Sequence, residues 1–235
     1  MHIVKWLAAA AAASVLAGCA SQPEIPFDKS VNANIHTIGI VPPSMHERPN
    51  IWLASDMGQS FGLIGALVDV SMQEARNSKV WAMLQARGVA PKDVFEHALE
   101  ASVKAQGFEV KTIDIPRKEG ETLKSYPATG ADAYLDVSVG NYGYVAAGIR
   151  DSTPYRPFVY LNVKLVRPDG SVLMQDQVLY DPVAPFDRGN HVSLSPDPAY
   201  TFTDFDEMEA KPDQVVSGLD ASLHTTTDAV GRLLH

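Results

Sequence analysis

A single cysteine among 235 residues sets the first limit on what this chain can become. Cys19 has no second thiol to pair with, so no disulfide can close within the chain. Whatever follows it must be held together by apolar burial, and a hydrophobic content of 46% is that of a globular protein rather than a solvated stalk. The same arithmetic removes cysteine nucleophiles and thiolate metal sites from everything downstream of residue 19.

Cys19 closes the tetrapeptide Leu16-Ala17-Gly18-Cys19 behind an apolar run from Trp6 to Leu16, itself preceded by Lys5. A run of about eleven residues is too short to cross a bilayer, which takes about twenty, but matches the apolar core of a signal peptide. The competing reading is a buried alanine-rich helix with a chance cysteine at its end. Position, charge, length and tetrapeptide together resemble the lipobox of bacterial lipoproteins. That resemblance implies residues 1–18 as a signal peptide cut before Cys19, and a diacylglyceryl group (palmitate in labelling experiments) on the Cys19 thiol. Ala20 and Ser21 stand where an aspartate would resemble an inner-membrane retention signal. The resemblance therefore implies a lipid-anchored envelope protein at the outer membrane, facing the periplasm.

Loss of residues 1–18 removes one lysine and no acid, leaving the rest one unit more negative than the −9 of the whole chain. An acidic surface argues against nucleic-acid partners, whose binding rests on Lys and Arg neutralising phosphates. It also argues against adsorption to anionic headgroups through a basic patch, which leaves the acyl chains on Cys19 as the contact with the lipid bilayer.

Residues 19–34 are polar and proline-punctuated and are expected to form a lipidated N-terminus and flexible tether. Residues 35–235 are expected to form a single domain. Ile35–Val41 is β-rich and stops at Pro42-Pro43. Residues 44–60 read as a loop, and 61–87 as helical with a break at Asn77-Ser78. Pro91 opens an amphipathic helix with Val94, Phe95, Ala98, Leu99, Ser102 and Val103 on one face and Gly107 at its C′ position. Phe108–Ile115 is a strand, and 116–130 is turn-rich with room for a short helix. Ala131–Val145 alternates, with Ala133, Leu135, Val137 and Val139 on one face and Tyr134, Asp136 and Ser138 on the other. Residues 158–180 form a hairpin turning at Pro168-Asp169-Gly170. The segment 181–211 is a long loop, of a length that is often functional. Pro212 starts a last helix with Val215, Leu219, Leu223, Val230 and Leu233 buried and Asp220, Thr226 and Arg232 wet. The expected class is α+β, a mostly antiparallel sheet with helices packed on it.

Ile38-Gly39-Ile40-Val41-Pro42-Pro43, the helix ending at Gly107, Gly130-Ala131-Asp132 and the hairpin around Pro168-Asp169-Gly170 resemble pieces of the periplasmic domain of the CsgG/LpoB-like envelope lipoproteins. Across residues 35–180 the resemblance implies an anticodon-binding-domain-like sandwich and a non-enzymatic accessory or scaffold role. The long alternating membrane segments of a curli-type pore are not seen in the sequence.

Other constellations have plainer explanations. Asp204, Asp206, Glu207 and Glu209 crowd four carboxylates into six residues, yet lack the glycine and ligand step of a calcium loop. Acids ahead of the Pro212 helix are expected from its dipole. Asp187, His191, Ser193 and Asp197 are the residue types of a nucleophilic triad but come without a Gly-x-Ser-x-Gly elbow. His36 and His97 fit surface positions, and His46, His224 and His235 show no zinc spacing. Gly58, Gly62 and Gly65 suit close helix packing in the core or against a partner. Tyr142, Tyr144, Tyr155, Phe158 and Tyr160 suit cross-strand packing, or an exposed patch for protein or glycan. The expectation is therefore no catalytic, metal or cofactor residue, Cys19 as the one modified site, and a non-enzymatic accessory or scaffold component serving an assembly or secretion partner or self-association. The alternative is an envelope hydrolase built around His191.

Overall fold

The computed structural model describes residues 23–54, 62–121, 123–147, 154–180 and 191–235. Its strands are β1 (Thr37–Ile40), β2 (Asn50–Ala54), β3 (Glu109–Thr112), β4 (Ala133–Ala147), β5 (Tyr155–Val166), β6 (Val172–Tyr180) and β7 (Val192–Leu194). Its helices are α1 (Gly62–Gln85), α2 (Pro91–Ala105), α3 (Phe205–Ala210) and α4 (Pro212–Arg232), with a 3-10 turn at Pro198–Tyr200. One sheet runs in the order β3-β1-β4-β5-β6-β7, and β2 pairs with β4 off that path. The protein is α+β, one mixed seven-stranded sheet with four helices packed on it.

Mixed, rather than mostly antiparallel, is the first correction. β4-β5 and β5-β6 are antiparallel, whereas β1-β3, β1-β4, β2-β4 and β6-β7 are parallel. The hairpin was visible because its first strand alternates and Pro168-Asp169-Gly170 marks the turn, where Gly170 takes the positive φ (89°) required. Short parallel strands meet only through long crossovers and carry no turn signal, so β2 and β7 were hidden in the expected loops 44–60 and 181–211.

β4 organises the molecule. Its start pairs with β1 and its end with β2, on the same edge, and the whole strand pairs with β5 on the other. A register shift between Val139 and Asn141 changes its alternation. Before the shift Ala133, Leu135, Val137 and Val139 join the core beneath α2 and the C-terminal half of α4, with Phe95, Leu99, Leu223 and Val230. After it Tyr144 and Ala146 join a second core with Ile51, Val80, Leu84, Met208, Val215 and Leu219. Tyr134 faces the other way and packs with Val41 and Ile113 in a third cluster.

α1 runs unbroken through Asn77. The side chain of Asn77 turns to β2, accepting from the Ile51 amide at 2.7 Å, which caps an otherwise open sheet edge. α4 buries Val215, Leu219, Leu223 and Val230 as expected and Leu233 in part, but Thr226 is fully buried instead of wet. Its hydroxyl donates back to Ser222 O and Leu223 O at 2.9 Å, so it enters the core with no group left unsatisfied. Leu219→Ala should cost about 2–5 kcal/mol in thermal or denaturant unfolding, whereas half-exposed Asp220→Ala should stay within about 0.5 kcal/mol. Equal melting of the two variants would contradict this packing.

The segment assigned to a tether is also partly structured. Ile25 bridges Gln175 on β6, and Phe27 is buried edge-on against Phe108. Asn32 is buried and accepts from Arg167 Nη2 at 2.7 Å. A domain beginning at residue 35 would lose these contacts; one beginning at residue 23 keeps them. No helix among the described residues is long and apolar enough to cross a membrane.

Candidate functional site: a cleft at the ends of β1 and β3

β1 and β3 are parallel neighbours and finish side by side, the Ile113 amide donating to Ile40 O at 2.9 Å. Beyond that bond they part. Pro42 has no amide to continue a ladder, and the chain after Ile113 bends away toward Pro116. The parting leaves a cleft of about 550 Å³ at the carboxyl ends of the two strands, the place where open sheets with parallel strands form binding crevices. Its walls are apolar at Ile40, Val41, Ile113 and Ile115. Lys92, Glu96, His97 and Glu100 from α2 line its rim, together with Asp114. Two ion pairs run along α2, Lys92–Glu96 at 3.8 Å and Lys104–Glu100 at 2.5 Å. Each is exposed and adds at most a few tenths of a kcal/mol, so a partner can exchange them at little cost.

The wall beyond Ile113 is pinned from beneath by Arg117. Its guanidinium is almost fully buried and pairs with the equally buried Asp136 of β4 at 2.8 Å. It also donates to Pro42 O at 2.9 Å and to Glu121 O at 3.0 and 3.1 Å. Tyr126 donates to the other Asp136 oxygen at 2.9 Å and stacks on Tyr134. Burial, then the charge of Asp136, push the Tyr126 phenol well above its ordinary range. One arginine thus joins both walls of the cleft to the central strand. The face of β4 that carries Tyr134, Asp136 and Ser138 is covered by Ile113, Arg117 and Tyr126. The clue in the sequence was an acid in mid-strand, which needs a cation if it is to be covered. No helix forms between residues 116 and 130 among the described residues.

Among the described residues, Thr112 is the one hydroxyl residue lining the cleft. No group of three His, Cys, Asp or Glu side chains among the described residues is placed to hold a metal ion.

The residues singled out earlier are dispersed. Asp204 caps α3 by accepting from the Glu207 amide at 2.8 Å. Glu207 accepts from Lys211 Nζ and the Thr203 amide, both at 2.6 Å, and these bonds, Lys211 first, pull its carboxyl down to about 2. Glu209 pairs with Lys79 at 2.7 Å, and Asp206 sits exposed in the first turn of α3. The acids therefore cap and brace a short helix of their own, which the loop reading missed.

Asp197 caps the 3-10 turn through the Ala199 amide at 2.8 Å, Ser193 is exposed on β7, and Asp187 lies outside the described residues. The buried Nδ1 of His191 has no hydrogen-bond partner among the described residues. Asp176, whose carboxyl burial pushes up, feels the charge of His191. His36 and His97 are exposed, His46 pairs with Glu119, and His224 lies 3.9 Å from Asp220. Tyr142, Tyr144, Tyr155 and Phe158 are buried and Tyr160 is half-buried, which favours packing over a recognition patch. Gly62 and Gly65 lie in α1; Gly58, like Cys19 and its tetrapeptide, lies outside the described residues.

No family model matches the chain, and no curated protein does. Among solved structures it is similar to a Xanthomonas campestris protein of the family DUF330, at 12% identity over 90% of this chain and 87% of that one, with a TM-score of 0.45. It is also similar to a putative neuraminyllactose-binding hemagglutinin homolog from Helicobacter pylori, at 11% identity over 92% and 88% of the two chains, with a TM-score of 0.35. Lipoprotein GNA1162 from Neisseria meningitidis gives 16% identity over 62% and 81%, with a TM-score of 0.22. Scores this low assign neither a site nor a function.

Proposed function

We propose that this protein is a bacterial envelope lipoprotein, anchored through acylated Cys19, that acts as a non-enzymatic accessory or scaffold component and receives a protein partner in the cleft between α2 and the ends of β1 and β3. The observation that supports this most is the cleft itself, with its apolar walls and with rim charges that a partner can exchange. Two results test the reading. Cys19→Ala should leave an uncleaved precursor that no longer labels with palmitate. In intact cells, a photo-crosslinker replacing Asp114 should capture one protein in stoichiometric yield, and one replacing exposed His224 should not. Normal labelling of the first variant, or the same capture at both positions, would overturn it. A hydrolase near His191 has one observation in its favour, the unpartnered Nδ1 close to Asp176. It predicts an activity lost on His191→Ala and kept without the lipid.

A further inference from the structure

The chain enters the domain along the outer edge of β6. The Ile25 amide donates to Gln175 O at 2.8 Å, Ile25 O accepts from the Gln175 amide at 2.9 Å, and Gln175 Nε2 donates to Pro23 O at 2.8 Å. Phe27 then anchors the segment in the core. This bridge is antiparallel, so stepping back from Ile25 to Pro23 moves along β6 toward the stretch of edge that β7 occupies. Only three residues, and so four chain steps, separate Cys19 from Pro23, a covalent reach of at most about 14 Å. At the far side of the sheet lies β3, four strand spacings from β6, or about 19 Å.

We propose that the anchored protein stands with its sheet edge-on to the membrane, the β6–β7 edge against the lipid headgroups and the β3–β1 edge, with its cleft, turned outward. The proposal rests on acylation of Cys19. Acyl chains fix that residue at the interface, and a link of about 14 Å ending on the β6 edge is shorter than the sheet is wide, so the domain cannot turn its other edge to the bilayer. A free link over residues 19–34 would reach roughly 50 Å and permit any orientation. Docking of Pro23, Ile25 and Phe27 is what removes that freedom. Glu24 and Asp176 lie at this edge, so attraction to anionic lipid does not produce the contact; the short link does.

The test uses the full-length lipidated protein in vesicles of phosphatidylethanolamine and phosphatidylglycerol. A fluorophore is placed on Ser193→Cys at the β7 edge or on Thr112→Cys at the β3 edge, both exposed positions. The acylated Cys19 thiol does not react, so each variant carries one label. A quencher attached to the headgroups should quench the label at 193 several-fold more than the label at 112. Inserting a flexible glycine-serine segment of about twenty residues between Cys19 and Pro23, with a coil size near 25 Å, should abolish the difference. Equal quenching of the two labels on vesicle-bound protein, or stronger quenching at 112, overturns the orientation alone. Protein that does not sediment with the vesicles overturns the acylation and the orientation with it.

Discussion

Arg117→Met is expected to be among the most damaging single changes in this domain. It strips the cation from Asp136 while leaving the carboxylate almost fully covered, and breaking a buried pair from one side typically costs about 3–5 kcal/mol. Domains of this kind hold only about 5–15 kcal/mol in total. Arg117→Lys should rescue little, because one ammonium cannot serve Asp136, Pro42 O and Glu121 O together. Removing both charges in Arg117→Met/Asp136→Leu should recover much of the loss, since no uncompensated charge then remains. Denaturant titrations of the three variants measure all of this, and a double variant no more stable than Arg117→Met alone would count against the pair as described.

Gly143→Ala is the second large effect. Gly143 lies in β4 at a φ of 144°, which L side chains rarely adopt, and a Cβ there would meet the Asn50 backbone, with N at 2.7 Å and C at 2.8 Å. Backbone strain contributes about 1–3 kcal/mol and the forced overlap about another 1–3 kcal/mol. The opposing atoms are main chain, so no rotamer change relieves them. The expected outcome is displacement of β2, seen as a change in Trp52 emission together with a lowered melting temperature. Gly170→Ala makes the comparison, because its positive φ is strained but nothing lies near the new methyl. If Gly143→Ala melts no lower than Gly170→Ala, β2 does not press on β4 as drawn.

What could be read in advance was whatever carries a period or a turn. The 158–180 hairpin, α2 with Gly107 behind it, and the apolar stripe of α4 all follow from local residues. Thr226 was misplaced because a hydroxyl counts as polar in a periodic pattern, whereas in a helix it can be satisfied by the preceding turn. Ile25 and Phe27 looked like tether because two apolar residues among prolines have no period; only the partners Gln175 and Phe108, far along the chain, give them a place. The cleft was invisible for the same reason. Its two strands lie some seventy residues apart in the chain, and what defines it is the way they part after pairing. Asp136 in mid-strand called for a covering cation, but nothing in the sequence singles out Arg117, and only the fold brings the two together.

The central position of β4 also has a consequence for how the chain is made. Ile38 waits for Ala133, and Asn50 waits for Gly143. A chain delivered from its amino end presents β1, β2, α1, α2 and β3 before the strand on which the sheet is centred has arrived. Until then α2 has neither β4 nor α4 to cover Phe95 and Leu99, and contacts at such long sequence separation form slowly. For that interval the first half of the protein is an adhesive, partly folded object whose safety depends on the speed of delivery or on a companion that shields it.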